Sequence, residues 1–141
     1  MMRFFTLAEA NNLLPILENS LRQLRLLKSE LRQEWEQLEE DLGSCSERRV
    51  FVKEVLQSPF ISKLSDEYNR ILKDVRVLGV ICRSVDQGVF DFPMLLDNEL
   101  VFLSWKSGES SIRHWHSTEE GFRSRKPLID APFEECSRHI H

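Results

Sequence analysis

The chain has 141 residues with a formal net charge of -4 and a pI near 5.6. Apolar residues make up 41% and charged residues 30%, a globular composition with a charge-rich surface and enough length for one real core. The acid balance argues against a protein that grips phosphate backbones, which needs a large basic face.

No apolar run approaches the roughly 20 residues of a membrane helix. The opening MMRFFTLAEANN offers only Phe4 and Phe5 as an apolar core, too little for a signal peptide. Cys45, Cys82 and Cys136 stand 37 and 54 residues apart, a spacing that suits neither a disulfide framework nor a zinc knuckle. A cytoplasmic protein with reduced cysteines is the expectation.

Taken in order, Thr6-Leu7-Ala8-Glu9 reads as a capping box that starts a helix. Pro15 falls about two turns in and predicts a kink or restart. Leu14, Leu17, Leu21, Leu24, Leu31, Trp35, Leu38 and Leu42 then alternate by threes and fours, with Lys28 in the one missing position. That is a heptad seam, and residues 16 to 42 span roughly 40 Å as a helix. Gly43 and Ser44 end it. Residues 47 to 57 form a helical lead-in, and Ser58-Pro59 reads as an N-cap with proline at the first helical position. Ile61, Leu64, Tyr68, Ile71, Val75 and Leu78 continue the seam until Gly79. Two such helices pack most simply as an antiparallel hairpin, residues 1–79. Leu26, Leu27, Trp35 and Phe51 still need cover, so a homodimer through this hairpin is expected.

From residue 80 the period shortens. GVICRSVD, GVFDFP, ELVFLSWK and SSIRHWH read as about four strands of an antiparallel meander over residues 80–116, with turns at Asp86-Gln87-Gly88, Asp97-Asn98 and Ser107-Gly108. Residues 117–141, marked by Gly121, Pro127 and Pro132, read as an irregular tail. The whole is an α+β chain expected to form a single domain.

Candidate chemistry gathers in the second half. His114 and His116 are two apart, so on a strand they share one face about 7 Å apart. They would converge on a metal ion only with a third ligand such as Asp91, Glu109, Glu119 or Glu120. Otherwise they line a solvated face while Trp115 packs inward. Arg123, Arg125 and Lys126 could hold a carboxylate or phosphate, or pair with Glu119, Glu120 or Asp130. Asp91, between Phe90 and Phe92, is the carboxylate in the most apolar surroundings. It would serve acid–base chemistry or be held by a partner such as an arginine. CSRHIH at the end, with Cys136, His139 and His141, reads as incidental. No serine–histidine–aspartate pattern, glycine-rich phosphate loop or His-Glu-x-x-His motif is present.

FTLAEANNLLPIL, LGVICRSVDQGVFDFP, VFLSWKSGE and WHSTEEGFRSRKPL together resemble a prokaryotic family of unknown function, DUF2203, from Phe5 to Leu128. The resemblance implies a small intracellular protein with a helical N-terminal half and no established activity. It places Asp91, Trp105, Gly108, Glu109, His116, Gly121, Phe122 and Arg125 on motif positions. His114 departs from a position that is more often aromatic, which shifts weight to Trp115-His116.

Two functions are therefore carried forward. The first is a non-enzymatic, self-associating interaction module using the helical hairpin. The second is a metal- or anionic-ligand-binding domain, or a hydrolase-type enzyme. Its site would combine Asp91, Glu109 and His116 around a divalent ion, with Arg125 as an anion contact.

Overall fold

The structure is a computed structural model describing residues 2–43 and 48–129. Cys45, Asp130, Cys136, His139 and His141 lie outside the described residues, as does the Ser44 half of the expected helix stop. Four helices precede a five-stranded antiparallel sheet: α1 (Leu7–Asn12), α2 (Leu14–Leu42), α3 (Arg48–Gln57), α4 (Pro59–Val77), then β1 (Ile81–Ser84), β2 (Val89–Leu96), β3 (Glu99–Lys106), β4 (His114–Ser117) and β5 (Lys126–Pro127). The strands lie in sequence order across the sheet. Among the described residues the expected pair of helices is thus four, and the expected four strands are five. None of the described helices is long and apolar enough to cross a membrane.

Local chemistry sets the helix ends. The Thr6 hydroxyl accepts the Glu9 amide at 3.1 Å, and the Glu9 carboxylate accepts the Thr6 amide at 2.9 Å, the reciprocal capping box. Leu13 caps α1, and Pro15 becomes the second residue of α2, where a missing N–H costs nothing because the first-turn amides have no helical partner. The proline therefore produces a restart. At α4, the Ser58 hydroxyl accepts the Ile61 amide at 3.2 Å, leaving Pro59 at the first helical position.

The described residues divide into two compact units, one of residues 22–73 and one of the flanking segments up to Leu21 and from Asp74 onward. In the flanking unit, Phe90, Phe92 and Met94 of β2 and Leu103 and Trp105 of β3 pack with Phe5, Ala10, Leu14, Leu17 and Leu21. Phe5 meets Phe92 edge-on at 5.5 Å. Trp105 donates from Nε1 to the Glu109 carbonyl at 2.9 Å, which satisfies the one polar atom of a buried indole. In the 22–73 unit, Trp35 of α2 meets Phe51 of α3 edge-on at 4.6 Å.

β2 does not end at Pro93 as GVFDFP suggests. It runs to Leu96, with Pro93 opposite Phe102. The Pro93 carbonyl accepts the Phe5 amide at 2.8 Å. Because a strand residue turns its N–H and C=O to the same side, the absent proline N–H faces Phe5 and not β3. The ladder to β3 therefore loses nothing. β2 and β3 then meet at Asp97 and Asn98, both at positive φ (52° and 66°), the two-residue hairpin geometry that these side chains tolerate.

Up to residue 129, the described part of the tail is more regular than its composition suggests. The Phe122–Ser124 turn is a 3-10 helix, and Lys126–Pro127 pairs with Trp115 and His114. The Leu128 amide donates to the Arg113 carbonyl at 2.8 Å, and the Lys126 ammonium lies 5.0 Å from the Trp115 ring centre. These contacts, between residues 11 to 15 apart in sequence, draw the segment in as a fifth strand. Conversely, SSIRHWH forms a strand only from His114.

Gly79 ends α4 at φ 94°, where a Cβ would stand 2.8 Å from the Arg3 Cβ. Gly79→Ala combines a backbone that L residues rarely adopt with a steric clash. We expect it to lower stability by about 1–3 kcal/mol, read as a lower urea midpoint with unchanged slope.

Candidate functional site

Directly opposed residues of adjacent strands project to the same face. β2 and β3 pair Phe90 with Trp105 and Phe92 with Leu103 on the core face. Asp91 therefore shares the second face with Ser104, and Pro93 with Phe102. β4 adds His116 opposite Phe102 and His114 opposite Ser104. On an ordinary two-sided sheet this second face would be wet. Instead β2 is buried from Val89 to Met94 and β3 from Val101 to Trp105, so Asp91, Ser104 and His116 are at most 2% exposed.

Asp91 is held on one oxygen. Its Oδ2 accepts from Arg83 Nε at 2.7 Å and lies 2.9 Å from His116 Nε2. His116 Nδ1 donates to the Ser117 carbonyl at 2.8 Å. Both imidazole nitrogens thus face acceptor oxygens, the arrangement that a doubly protonated ring satisfies beside an ionised carboxylate. The Phe102 ring lies beside both, its centre 5.4 Å from that of the imidazole at a 37° tilt and 5.1 Å from the Arg83 guanidinium carbon. Ile81 stands opposite Asp91, so Arg83, two residues on, shares the face of Asp91 by ordinary strand alternation.

Three buried polar atoms on this face have no hydrogen-bond partner among the described residues: Asp91 Oδ1, Ser104 Oγ and His114 Nδ1. Each such atom costs about 1–3 kcal/mol if left dry.

A second cluster stands beside it. Arg125 grips Glu109 with both terminal nitrogens, one to each carboxylate oxygen, at 3.0 Å each. The Lys106 amide donates to Glu109 Oε1 at 2.7 Å, and His114 Nδ1 lies 3.7 Å from Glu109 Oε2. The guanidinium carbon of Arg125 also lies 4.2 Å from the Phe122 ring centre. Burial pushes the Glu109 carboxyl up, but the Arg125 hydrogen bond, the Lys106 amide and the nearby positive charges outweigh it and hold the group below its ordinary value. A carboxylate lowered by folding gives stability that is complete above its unfolded value and is lost as pH falls through the folded one. We therefore expect the urea midpoint to fall on acidification below the ordinary glutamate range, with Glu109→Gln flattening that part of the curve.

A family model described as "Uncharacterized conserved protein (DUF2203)" matches residues 3–128, nearly nine-tenths of the sequence. The chain belongs to this family. No curated protein and no solved structure matches it.

In this DUF2203 chain the four expected site residues fall into two pairs. Asp91 meets His116, and Glu109 meets Arg125. Among the described residues no group of three or more His, Cys, Asp or Glu is placed to hold a metal ion. Glu120 accepts from the Ser117 hydroxyl at 3.0 Å and pairs with Lys126. Trp115 is half-buried against the core. Sequence reasoning did not single out Arg83 or Ser104. An apolar-flanked Asp91 does call for a cationic partner, but only the strand register says which one. Cys82 is a free, half-buried thiol whose burial pushes its pKa up, as suits an inert side chain.

Proposed function

We propose that this DUF2203 protein is a non-enzymatic interaction module that self-associates through its helical half. The observation carrying this reading is where large apolar side chains remain exposed. Of eleven such residues among those described, eight lie on helices and none on a strand. Leu26, Leu56 and Phe60 are each more than 60% exposed, and Trp35 is 42% exposed. Exposed apolar surface concentrated on one set of elements favours a protein contact. Along the α2 seam, Leu14, Leu17, Leu21 and Leu24 are buried, whereas Leu31, Leu38 and Leu42 are only half-buried. The antiparallel hairpin of the two seams is the arrangement we favour for the arm, with a homodimer as the assembly.

The charge order of α2 supports a second copy as the partner. Arg22, Arg25, Lys28 and Arg32 occupy its middle, and Glu34, Glu36, Glu39, Glu40 and Asp41 its end. Two α2 helices running antiparallel set the basic stretch of each against the acidic stretch of the other. Light scattering across micromolar concentrations tests the reading. A concentration-dependent rise to twice 16.6 kDa is expected, and a strict monomer throughout would sink it. On the spacing of its cysteines we place the protein in the cytoplasm.

A second reading is a ligand- or metal-binding site on the sheet, and a hydrolase-type activity within it. It is favoured by the buried contact of Asp91 with His116, an acid and an imidazole brought together out of water. Metal analysis of the purified protein and titration with zinc test it: a divalent ion bound stoichiometrically and lost in His116→Ala is the expected result, and its absence removes the metal form.

A further inference from the structure

The three unpartnered polar atoms on the second face are not scattered. Asp91 stands opposite Ser104, and Ser104 opposite His114. They form one row straight across β2, β3 and β4, with neighbouring Cβ atoms about 5 Å apart. Asp91 and Ser104 are at most 1% exposed. The row is flanked by the partly exposed side chains of Arg83 and His114, which mark where a visitor would enter. Apart from the 3.7 Å approach of His114 Nδ1 to Glu109 Oε2, the row makes no hydrogen bonds of its own through these atoms, and such a row is arranged for something that supplies them.

The charges decide what that is. The Asp91 carboxylate already faces the Arg83 guanidinium at 2.7 Å and the His116 ring at 2.9 Å on its other oxygen. A cation at the row would sit beside those positive groups. An anion would meet the free lone pairs of Asp91 Oδ1. An uncharged group that both donates and accepts meets neither objection: its hydrogen goes to Asp91 Oδ1, and its oxygen accepts from the Ser104 hydroxyl or from His114.

We propose that Asp91 Oδ1, Ser104 Oγ and His114 Nδ1 form a subsite for one uncharged hydrogen-bonding group of a ligand, a primary carboxamide or an alcohol. This rests on the reading of the sheet as a ligand site and replaces its metal or anion with a neutral group. It is independent of self-association.

The test is titration of the full chain, labelled with 15N, with acetamide as the probe and with acetate and zinc as charged comparators. Acetamide is expected to move the amide resonances of Ser104 and His114 saturably. Ser104→Ala weakens that binding about tenfold, the loss of one hydrogen bond, while Ser104→Thr, which keeps the hydroxyl, retains it. Thermal melts establish that each variant is folded, and if the alanine variant is not, the parent and Ser104→Thr titrations decide. No saturable shift in the folded parent overturns the proposal, as does equal binding by a folded Ser104→Ala. Zinc or acetate taking these residues while acetamide does not would overturn it and support the charged-ligand reading. Silence from all three probes would remove both.

Discussion

Asp91→Ala lowers folding stability by about 3–5 kcal/mol, the scale on which removing one partner of a buried charged pair is felt. The loss comes mostly from what is left behind. Asp91 and His116 have side chains at most 3% exposed, whereas Arg83 is 46% exposed. Without the carboxylate, Arg83 turns to water at little cost. His116 has no such route. Its Nδ1 remains held by the Ser117 carbonyl, and its Nε2 faces a void. Asp91→Asn separates charge from shape: its amide oxygen can take the Oδ2 position and keep both contacts, while its nitrogen faces the row of Ser104 and His114. It should cost less than alanine. The check is a double-mutant cycle with His116→Ala, read from urea unfolding. The double variant should lose less than the two single losses together, by about 1–3 kcal/mol. An Asp91→Ala loss below 1 kcal/mol would show that the cluster is not a buried charged pair in solution.

What could be read from the sequence was the chemistry that closes within a few residues. The Thr6–Glu9 box, the restart at Pro15, the Ser58–Pro59 cap and the Asp97–Asn98 turn are each set by near neighbours, and each stands as expected. Asp91 was also visible, as a carboxylate that apolar neighbours would bury. Its partners were not, because they arrive through register. Arg83 comes from the neighbouring β1, whose Ile81 is set opposite Asp91, and His116 comes from two strands away. The same reason hid β5, whose two residues form a strand only because Trp115 and His114 lie alongside. It also hid the continuation of β2 through Pro93, which depends on Phe5 at the far end of the chain. Period-2 alternation gave His114 and His116 a common face. It could not show that this face is covered, and so that one histidine is a buried partner while the other stands 3.7 Å from Glu109.

Reversing the acidic end of α2 should break the proposed dimer, and reversing the basic middle as well should restore it. Glu36 and Glu40 are exposed and lie one turn apart in the acidic stretch, so Glu36→Lys with Glu40→Lys turns attraction into repulsion. A two-fold pair repeats each change in both copies, so four contacts are altered. At roughly 0.2–1 kcal/mol for each exposed pair, the four together come to about 0.8–4 kcal/mol, so the dissociation constant should rise by about fourfold or more. Adding Arg22→Glu and Arg32→Glu rebuilds the opposite order and returns the constant toward the parent value. A surface that merely lost apolar contact would not recover in this way, because no apolar group is replaced. The parent dimer should also weaken as salt rises, since these charges are exposed and screened, while the apolar contribution of Trp35 should not. Sedimentation equilibrium of the three proteins at low and high salt decides the matter. Recovery by the fourfold variant establishes antiparallel α2 pairing. A double variant that associates as the parent does would instead place the contact on α3 and α4, where Leu56 and Phe60 stand exposed, and one that weakens without recovery would overturn the antiparallel pairing.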